Sequence, residues 1–449
     1  MLKRCVLGLI TLFFVFGSFS FAYCAEISLG PVSEGSRTIT ISDGISMVLR
    51  DSRLVKIEIS DKDMSFEDTL IALSPLLPHL NTSMTKTYNQ YTPAMIFGAM
   101  SVPMGDKDPL SWQIDIYQTL FDFGKSISNY KASTEFLHAR KAKVESVKRT
   151  VTLEFIATYF DLLEMEKMIT VAEKEVDSLT AYLTDANHLY EEGVIVKNDL
   201  LPARVKLADA KQKLIAARNR REVVAAGLST MLTLPLTEDI IVQDTESMMP
   251  ELPDLAEAWN AAEARRPEIL FFNNQIKSSI LRERAKTVEN LPTIFADAGY
   301  AYNQNKYMVH QDDAFITLGA KMDLYDGGMT GAEIMKERYL HKQLQEQKNK
   351  LVDDIRCEVK DSHLGVKDAI AKLYVAKDAL AQAEENVRFY RVKYNNGVAT
   401  STDVLEAISL QTRAQTNYYS ADYELKRSYA KFMYSMGSDL TAIYKKTEK

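Results

Sequence analysis

The sequence predicts a mainly α-helical protein with a small β part, built as two tandem repeats of helix, strand, strand and long helical hairpin. Three observations predict this fold class. Motifs recur at a constant shift of 204 residues. Proline, the strongest helix breaker, is absent from residues 110–201 and 293–449. Residues 126–190 also lack glycine and are rich in Ala, Leu, Glu and Lys, which favour helix.

The repeat is carried by separated matches in one register, as expected of a duplicated unit. Leu120–Gly124 (LFDFG) returns as Leu324–Gly328 (LYDGG), and Tyr190–Val194 (YEEGV) returns as Tyr394–Val398 (YNNGV). Upstream of these, a Leu-Pro pair recurs at a shift of 214, so the first copy carries ten additional residues. We place them in an exposed loop within residues 90–108, where an insertion leaves the rest of the unit in register.

The repeat divides the chain into five parts. We expect a signal peptide at 1–25, a first repeat at 26–236, a linker at 237–253, a second repeat at 254–440 and a C-terminal tail at 441–449. Within the repeats the predicted elements are helices at about 43–73 and 254–289, strands at about 79–88, 112–120, 293–302 and 314–324, and helical hairpins at about 126–231 and 330–436.

The N-terminus reads as an export signal. Lys3 and Arg4 precede an apolar stretch and small residues ending at Ala25. A transmembrane anchor is the alternative, but the apolar stretch is short for one. Cys24 stands where a lipoprotein would be lipidated, although Tyr23 is a poor fit before it. Of the three cysteines, Cys357 is expected to be a buried helix residue.

Composition excludes several function classes. The net charge of −7 becomes −9 once Lys3 and Arg4 are removed with the signal, so nucleic acid is not an expected partner. Three cysteines exclude a disulfide scaffold. The six histidines are scattered, and no phosphate loop or nucleophile elbow is present. We expect no catalytic residue, metal site or cofactor, and hence no enzyme.

The predicted strands alternate between apolar and polar residues. Trp112, Ile114 and Ile116 share one face of the second strand. Such segments are typical of a membrane barrel with a wet lumen, and an ordinary half-buried hairpin is the alternative. Four strands cannot close a barrel, and open edges cannot face lipid, so at least two chains would have to share one. Three chains would give twelve strands. For the long helices the alternative is a solvated coiled-coil rod.

In its ordered, duplicated motifs the chain resembles the TolC-like outer-membrane efflux and secretion channel family. The resemblance rests on Ser74–Pro78 before the first strand, the two Phe/Tyr-Asp-x-Gly turns and the two Gly-Val hairpin tips. It implies a homotrimer with a twelve-stranded barrel among outer-membrane lipids, continued by a helical tunnel across the periplasm. The implied partners are a periplasmic adaptor and an inner-membrane pump of the resistance or ABC type.

The resemblance also implies roles for individual residues. Adaptor docking is expected at the tips, Gly193, Val194, Ile195, Gly397, Val398 and Ala399, with Val194, Ile195 and Val398 as exposed apolar contacts. Asp403 and Glu406 would form an acidic ring at the periplasmic entrance, although acids at a helix start can also serve as caps. Asp199 and Tyr394 match positions that hold the entrance shut, whereas Lys197 and Ala399 depart from that pattern.

The strand-to-helix turns, Asp122 with Gly124 and Asp326 with Gly328, are interpreted as structural, because Asp can accept backbone N–H bonds at a helix start. Two rivals to an efflux channel stay open from the sequence. One is a protein-secretion outlet of the same family, and the other is a periplasmic coiled-coil structural or adaptor protein.

Overall fold

The computed structural model describes residues 37–244 and 252–447. The expected signal peptide at 1–25, with Cys24, lies outside the described residues. Strand β1 (Arg37–Ile39) leads into helix α1 (Ile41–Asp51) and helix α2 (Arg53–Leu73). The expected helix at 43–73 is therefore two helices. Ser52, at φ −54° and ψ 129°, ends one and begins the other, because an extended residue cannot continue the helical hydrogen bonds.

The first repeat continues with four strands and the first helical hairpin. Its strands are β2 (His79–Lys86), β3 (Ala94–Phe97), β4 (Met100–Pro103) and β5 (Leu110–Phe121). Helix α3 (Lys125–Glu191) and helix α4 (Lys197–Leu232) form the hairpin. The additional residues of the first copy form the small antiparallel hairpin β3–β4, which the sequence did not predict.

The expected linker at 237–253 contains a strand, β6 (Ile240–Val242), which pairs in parallel with β1. Residues 245–251 of that linker lie outside the described part. Ile39 and Ile240 are buried in a core formed with α1 and α3, where Phe155 and Tyr159 are fully covered. The hydroxyl of Tyr159 lies 2.7 Å from the Gln243 carbonyl and accepts the Gln243 N–H at 3.0 Å, so it fixes the end of β6.

The second repeat has the same order without the small hairpin. Helix α5 (Leu255–Arg265) and helix α6 (Pro267–Thr287) replace the single helix expected at 254–289. The break is at Arg266, since the residue before a proline is disfavoured in helical conformation. The remaining elements are β7 (Thr293–Asn303), β8 (Asp312–Lys321), α7 (Met329–Asn395), α8 (Ser401–Ser435) and α9 (Leu440–Thr447).

Two further expectations are corrected by the structure. The tail expected at 441–449 is largely helical, and Leu440 and Tyr444 of α9 pack into the core around Phe160. Cys357 is exposed, not buried. Ile355 and Val359 of the same helix are buried, and a residue two positions from a buried one points to the other side of a helix.

The main sheet is antiparallel in the order β2-β5-β7-β8. Its pairing aligns one residue from each strand in a row, so apolar side chains of successive strands share one face: Leu80, Ile116, Ala298 and Ile316. The opposite face carries most of the polar side chains of the sheet, with Asn81 Nδ2 donating to Asp115 at 3.1 Å, and also Phe295 and Phe315. None of the helices within 37–244 and 252–447 combines the length and apolarity needed to cross a lipid bilayer.

Candidate functional site: the helical hairpin tips

Each long hairpin turns through a glycine in left-handed conformation. Gly193 has φ +76° and Gly397 has φ +71°. The turns match in their hydrogen bonds as well. Gly193 N donates to Tyr190 O at 3.0 Å, and Gly397 N donates to Tyr394 O at 2.9 Å. Glycine adopts this backbone without the strain that a Cβ atom brings, so the geometry of the turn explains the repeated glycine.

The residues after the glycines divide into exposed and packed ones. Val194 and Val398 are 65% and 73% exposed. Ile195 is half-buried and contacts a cluster that we call the tip core, so it is not the exposed apolar contact that we expected. The next residue, Val196, is exposed instead. Ala399 also packs on the tip core. The buried members of the tip core are Leu179, Tyr182, Ala186, Leu200, Ala203, Ala210, Val387, Tyr394, Val404, Leu405, Ala407 and Ile408.

Asp403 is engaged in a capping box at the start of α8. Its Oδ2 accepts the Thr400 N–H at 2.8 Å and the Thr400 hydroxyl at 2.7 Å, and its own N–H donates to Thr400 Oγ1 at 3.3 Å. The bond from the Thr400 backbone, together with that from its hydroxyl, lowers the pKa of Asp403 below its ordinary value. In a single chain, Asp403 therefore serves as a helix cap, which was the alternative to its role in an acidic ring. Glu406, three residues later, is exposed.

The matching start of α4 is capped less completely. Asp199 Oδ2 accepts the Val196 N–H at 3.4 Å, but the valine side chain has no oxygen to return a bond. Instead, the Asp199 carbonyl accepts the hydroxyl of Ser401 at 3.1 Å. The first tip is thereby bonded to the second, at the point where α8 begins.

Ser401 also accepts a bond from the first hairpin. The Tyr182 hydroxyl donates to Ser401 Oγ at 2.6 Å, and this bond is buried. Tyr182 and Ser401 thus connect α3, the start of α4 and the start of α8. We call the chain Tyr182–Ser401–Asp199 carbonyl the tip bridge. Burial raises the pKa of Tyr182, so the phenol stays a neutral donor.

Tyr394 takes part in this region through its ring. It is 8% exposed, and its centroid lies 5.4 Å from that of Tyr182. Within the described chain its buried hydroxyl has no hydrogen-bond partner. The structure therefore places Asp199 and Tyr394 near each other, but the side chains that form the hydrogen bonds between the tips are Tyr182 and Ser401. Sequence reasoning missed both, because no local pattern links residues 219 positions apart.

In the strand-to-helix turns, each aspartate side chain accepts bonds from the start of the helix that follows it. Asp122 accepts the N–H groups of Gly124 at 3.1 Å and Ser126 at 2.8 Å. Asp326 accepts those of Gly328 at 2.9 Å and Thr330 at 2.8 Å. Both arrangements satisfy N–H groups that a helix start leaves unpaired, which agrees with the structural interpretation. In the described ranges, no group of three or more His, Cys, Asp or Glu side chains could hold a metal ion.

The described chain combines a four-stranded sheet that has one apolar face with two long helical hairpins. The model of the family described as "Outer membrane efflux protein" matches residues 60–233 and 258–438, one segment within each predicted repeat. The chain belongs to the outer membrane efflux protein family. The expected outer-membrane location, and the expectation of a channel instead of an enzyme, are confirmed by this membership.

Several known proteins are similar over most of the chain. The outer membrane protein TolC of Salmonella enteritidis is 20% identical over 434 residues, covering 92% of this chain and 85% of TolC. The solved outer-membrane channel OprN shares the fold with a TM-score of 0.78 at 14% identity, covering 89% of this chain and 90% of OprN. VceC of Vibrio cholerae has a TM-score of 0.77 at 14% identity, with 89% and 96% covered.

Proposed function

We propose that the protein is the outer-membrane exit channel of a tripartite efflux or type I secretion system, and that it works as a homotrimer. It conducts substrates passively from an inner-membrane pump, through the periplasm, to the outside. The observation that carries the proposal is the main sheet, which combines two open edges with one apolar and one polar face.

The open edges support a shared barrel. Strands β2 and β8 end the main sheet, and in the described chain each pairs with one neighbour only. In lipid an unpaired backbone group costs several kcal/mol, so such an edge has to be closed by another strand. Pairing β2 of one copy with β8 of the next closes the barrel, and three copies supply twelve strands.

The two faces of the sheet indicate which side of the proposed barrel faces lipid and which faces the lumen. Leu80, Ile116 and Ile316 are exposed on the apolar face of the single chain, where a lipid environment suits them. On the other face Asp115 accepts bonds from Asn81 at 3.1 Å and from Gln113 at 3.0 Å. Polar side chains of this kind suit a water-filled lumen.

The hairpins supply the tunnel and its entrance. Helices α3 and α7 have 67 residues each, which at ~1.5 Å per residue is roughly 100 Å. The tips lie at the end away from the sheet. There, exposed Val194 and Val398 contact the hairpins of a periplasmic adaptor. Asp403 and Glu406 of the three copies surround the entrance. The partner across the inner membrane is a pump of the resistance or ABC type.

Membrane fractionation followed by native mass measurement tests this proposal. We expect a trimer in the outer-membrane fraction that survives mild detergent and dissociates on heating. In planar bilayers the purified trimer should conduct ions. A monomer in the soluble periplasmic fraction would overturn the channel and leave the coiled-coil alternative. Reconstitution with a resistance-type or an ABC pump distinguishes drug or metal efflux from protein secretion.

A further inference from the structure

The small hairpin β3–β4 exposes methionines that the channel function does not use. Its strands are joined by the two-residue turn Gly98–Ala99, with Gly98 at φ +62°. Met95 lies opposite Val102 in the register. Beyond the strand end, Met104 N donates to Pro93 O at 2.8 Å, which continues the pairing by one step.

The pairing places three thioethers on one face. Side chains alternate along a strand, so Met100, Val102 and Met104 share a face, and Met95 opposite Val102 shares it too. Met95 is therefore the diagonal neighbour of both Met100 and Met104. Diagonal neighbours in an antiparallel pair are ≈ 7–8 Å apart, within reach of long side chains. Met100 and Met104 are four residues apart, about 13 Å along the strand, so Met95 is common to each close pair.

These side chains are not packed in a core. Met95, Met100 and Met104 are 51%, 70% and 48% exposed. Methionine ordinarily fills gaps inside apolar cores, and three exposed thioethers on one face have no such explanation. The base of the hairpin is held in place by the loop between β7 and β8. Asn305 Nδ2 donates to Met104 O at 3.1 Å, and Lys306 N donates to Asp106 Oδ2 at 3.0 Å.

The chemistry of this face selects its ligand. Thioether sulfur is a soft donor that prefers Cu(I) among biological metals, whereas Mg²⁺ and Ca²⁺ require oxygen ligands. The other side chains of the face, Phe97 and Val102, are apolar and offer no hard donor. We propose that Met95, Met100 and Met104 form a thioether site for a soft monovalent cation, Cu(I) or its analogue Ag(I).

The site lies in the connection between β2 and β5, at the end of the sheet away from the long helices. In the channel this is the outer mouth, so a cation leaving the lumen would meet the site last. That position rests on the proposed function, whereas binding of the cation by the hairpin does not. The two proposals can therefore fail separately.

Calorimetric titration of the purified, detergent-solubilised full chain with silver nitrate tests the site. Exposed Cys357 would bind Ag(I) itself, so all variants carry Cys357→Ser, remaining thiols are blocked with N-ethylmaleimide, and buffers are free of chloride. We expect about one Ag(I) per chain, with binding lost in the triple variant Met95→Leu, Met100→Leu, Met104→Leu. Leucine is close to methionine in volume, so the hairpin should keep its fold.

Single variants and a matched control sharpen the test. Met95→Leu should weaken binding by about tenfold or more, and by more than Met100→Leu or Met104→Leu, because Met95 belongs to both close pairs. The control replaces Met64, Met329 and Met335, three exposed methionines on helices, and should bind like the parent. Absence of Ag(I) binding by the parent, or equal binding by the hairpin triple variant, would overturn the site whatever the oligomeric state.

Discussion

Replacing Ser401 by alanine should loosen the proposed periplasmic entrance, because the Ser401 hydroxyl is the centre of the tip bridge. It accepts from Tyr182 at 2.6 Å and donates to the Asp199 carbonyl at 3.1 Å. Without it the Tyr182 hydroxyl is a buried donor with its partner removed. Leaving such a group unsatisfied costs about 1–3 kcal/mol. That free energy shifts the equilibrium between the bridged and the open tip by roughly fivefold to 150-fold per protomer.

Tyr182→Phe removes the hydrogen bond to Ser401 but keeps the aromatic ring. It removes the donor, while Ser401 can still bind the Asp199 carbonyl, so we expect a smaller cost of about 1 kcal/mol. In the double variant no buried phenol donor is left without a partner. The double variant should therefore lie closer to Tyr182→Phe than to Ser401→Ala, since removing both partners of a bond is cheaper than orphaning one.

Open probability in planar bilayers, together with the thermal midpoint of the purified protein, measures these effects. Ser409→Ala is the matched control, since it removes from the same helix only a bond to the Leu405 carbonyl at 2.9 Å. Ser401→Ala should raise the open probability and lower the midpoint, and Ser409→Ala should change neither appreciably. If Ser401→Ala behaves like the control, or if its effects and those of Tyr182→Phe add, the bridge does not hold the entrance.

Three further predictions concern the same tips. Asp403→Asn combined with Glu406→Gln should weaken the block of bilayer conductance by multivalent cations. Glu406→Gln alone keeps the capping box of Asp403 and so tests the ring charge apart from the cap. Unchanged block in the double variant would contradict the acidic-ring proposal. Gly397→Ala should lower the free energy of unfolding by about 1 kcal/mol, because Gly397 has a φ of +71°. Gly227 lies in the interior of α4 with open space around it, so Gly227→Ala should raise the free energy of unfolding by about 0.5–1 kcal/mol. Thermal midpoints that move in the same direction in the two variants would contradict this prediction. Acidification below about pH 4 should weaken the α8 cap, because the pKa of Asp403 in the folded protein is below its ordinary value. The stability that Asp403 contributes is complete above the ordinary pKa and is lost as the pH falls through the lowered pKa. The thermal midpoint of Asp403→Asn should therefore depend less on acid than that of the parent.

The long helices and the strands could be predicted because their signals are local. Residues 126–190 contain nothing that breaks a helix, and β5 shows its alternation within a single segment. The two helix breaks were missed for different reasons. At Ser52 no adjacent proline or glycine marks the break. At Arg266 the local signal was present, since Pro267 follows it, but the expected helix was drawn across it. The pairing of β1 with β6 was missed for another reason. It joins segments about 200 residues apart, and strands of three residues carry too little pattern to be recognised.

At the tips, too, the sequence predicts local features but not contacts between distant segments. Capping acids and turn glycines are local features, so Asp403 and Gly397 could be identified from the sequence. The bridge is instead a difference between the copies. Thr400 and Ser401 stand where the first copy has Val196 and Lys197.

The second helix start therefore has a complete capping box, whereas the first has no side-chain oxygen at its cap and receives a hydroxyl from the second copy through Ser401. It follows that the first tip depends on the second. Any movement that draws the start of α8 away from α3 breaks the Tyr182 bond and the Asp199 bond together, because both meet at one hydroxyl. The two contacts should then be lost in a single step, and opening should be a cooperative transition of the tip instead of a gradual separation of the hairpins.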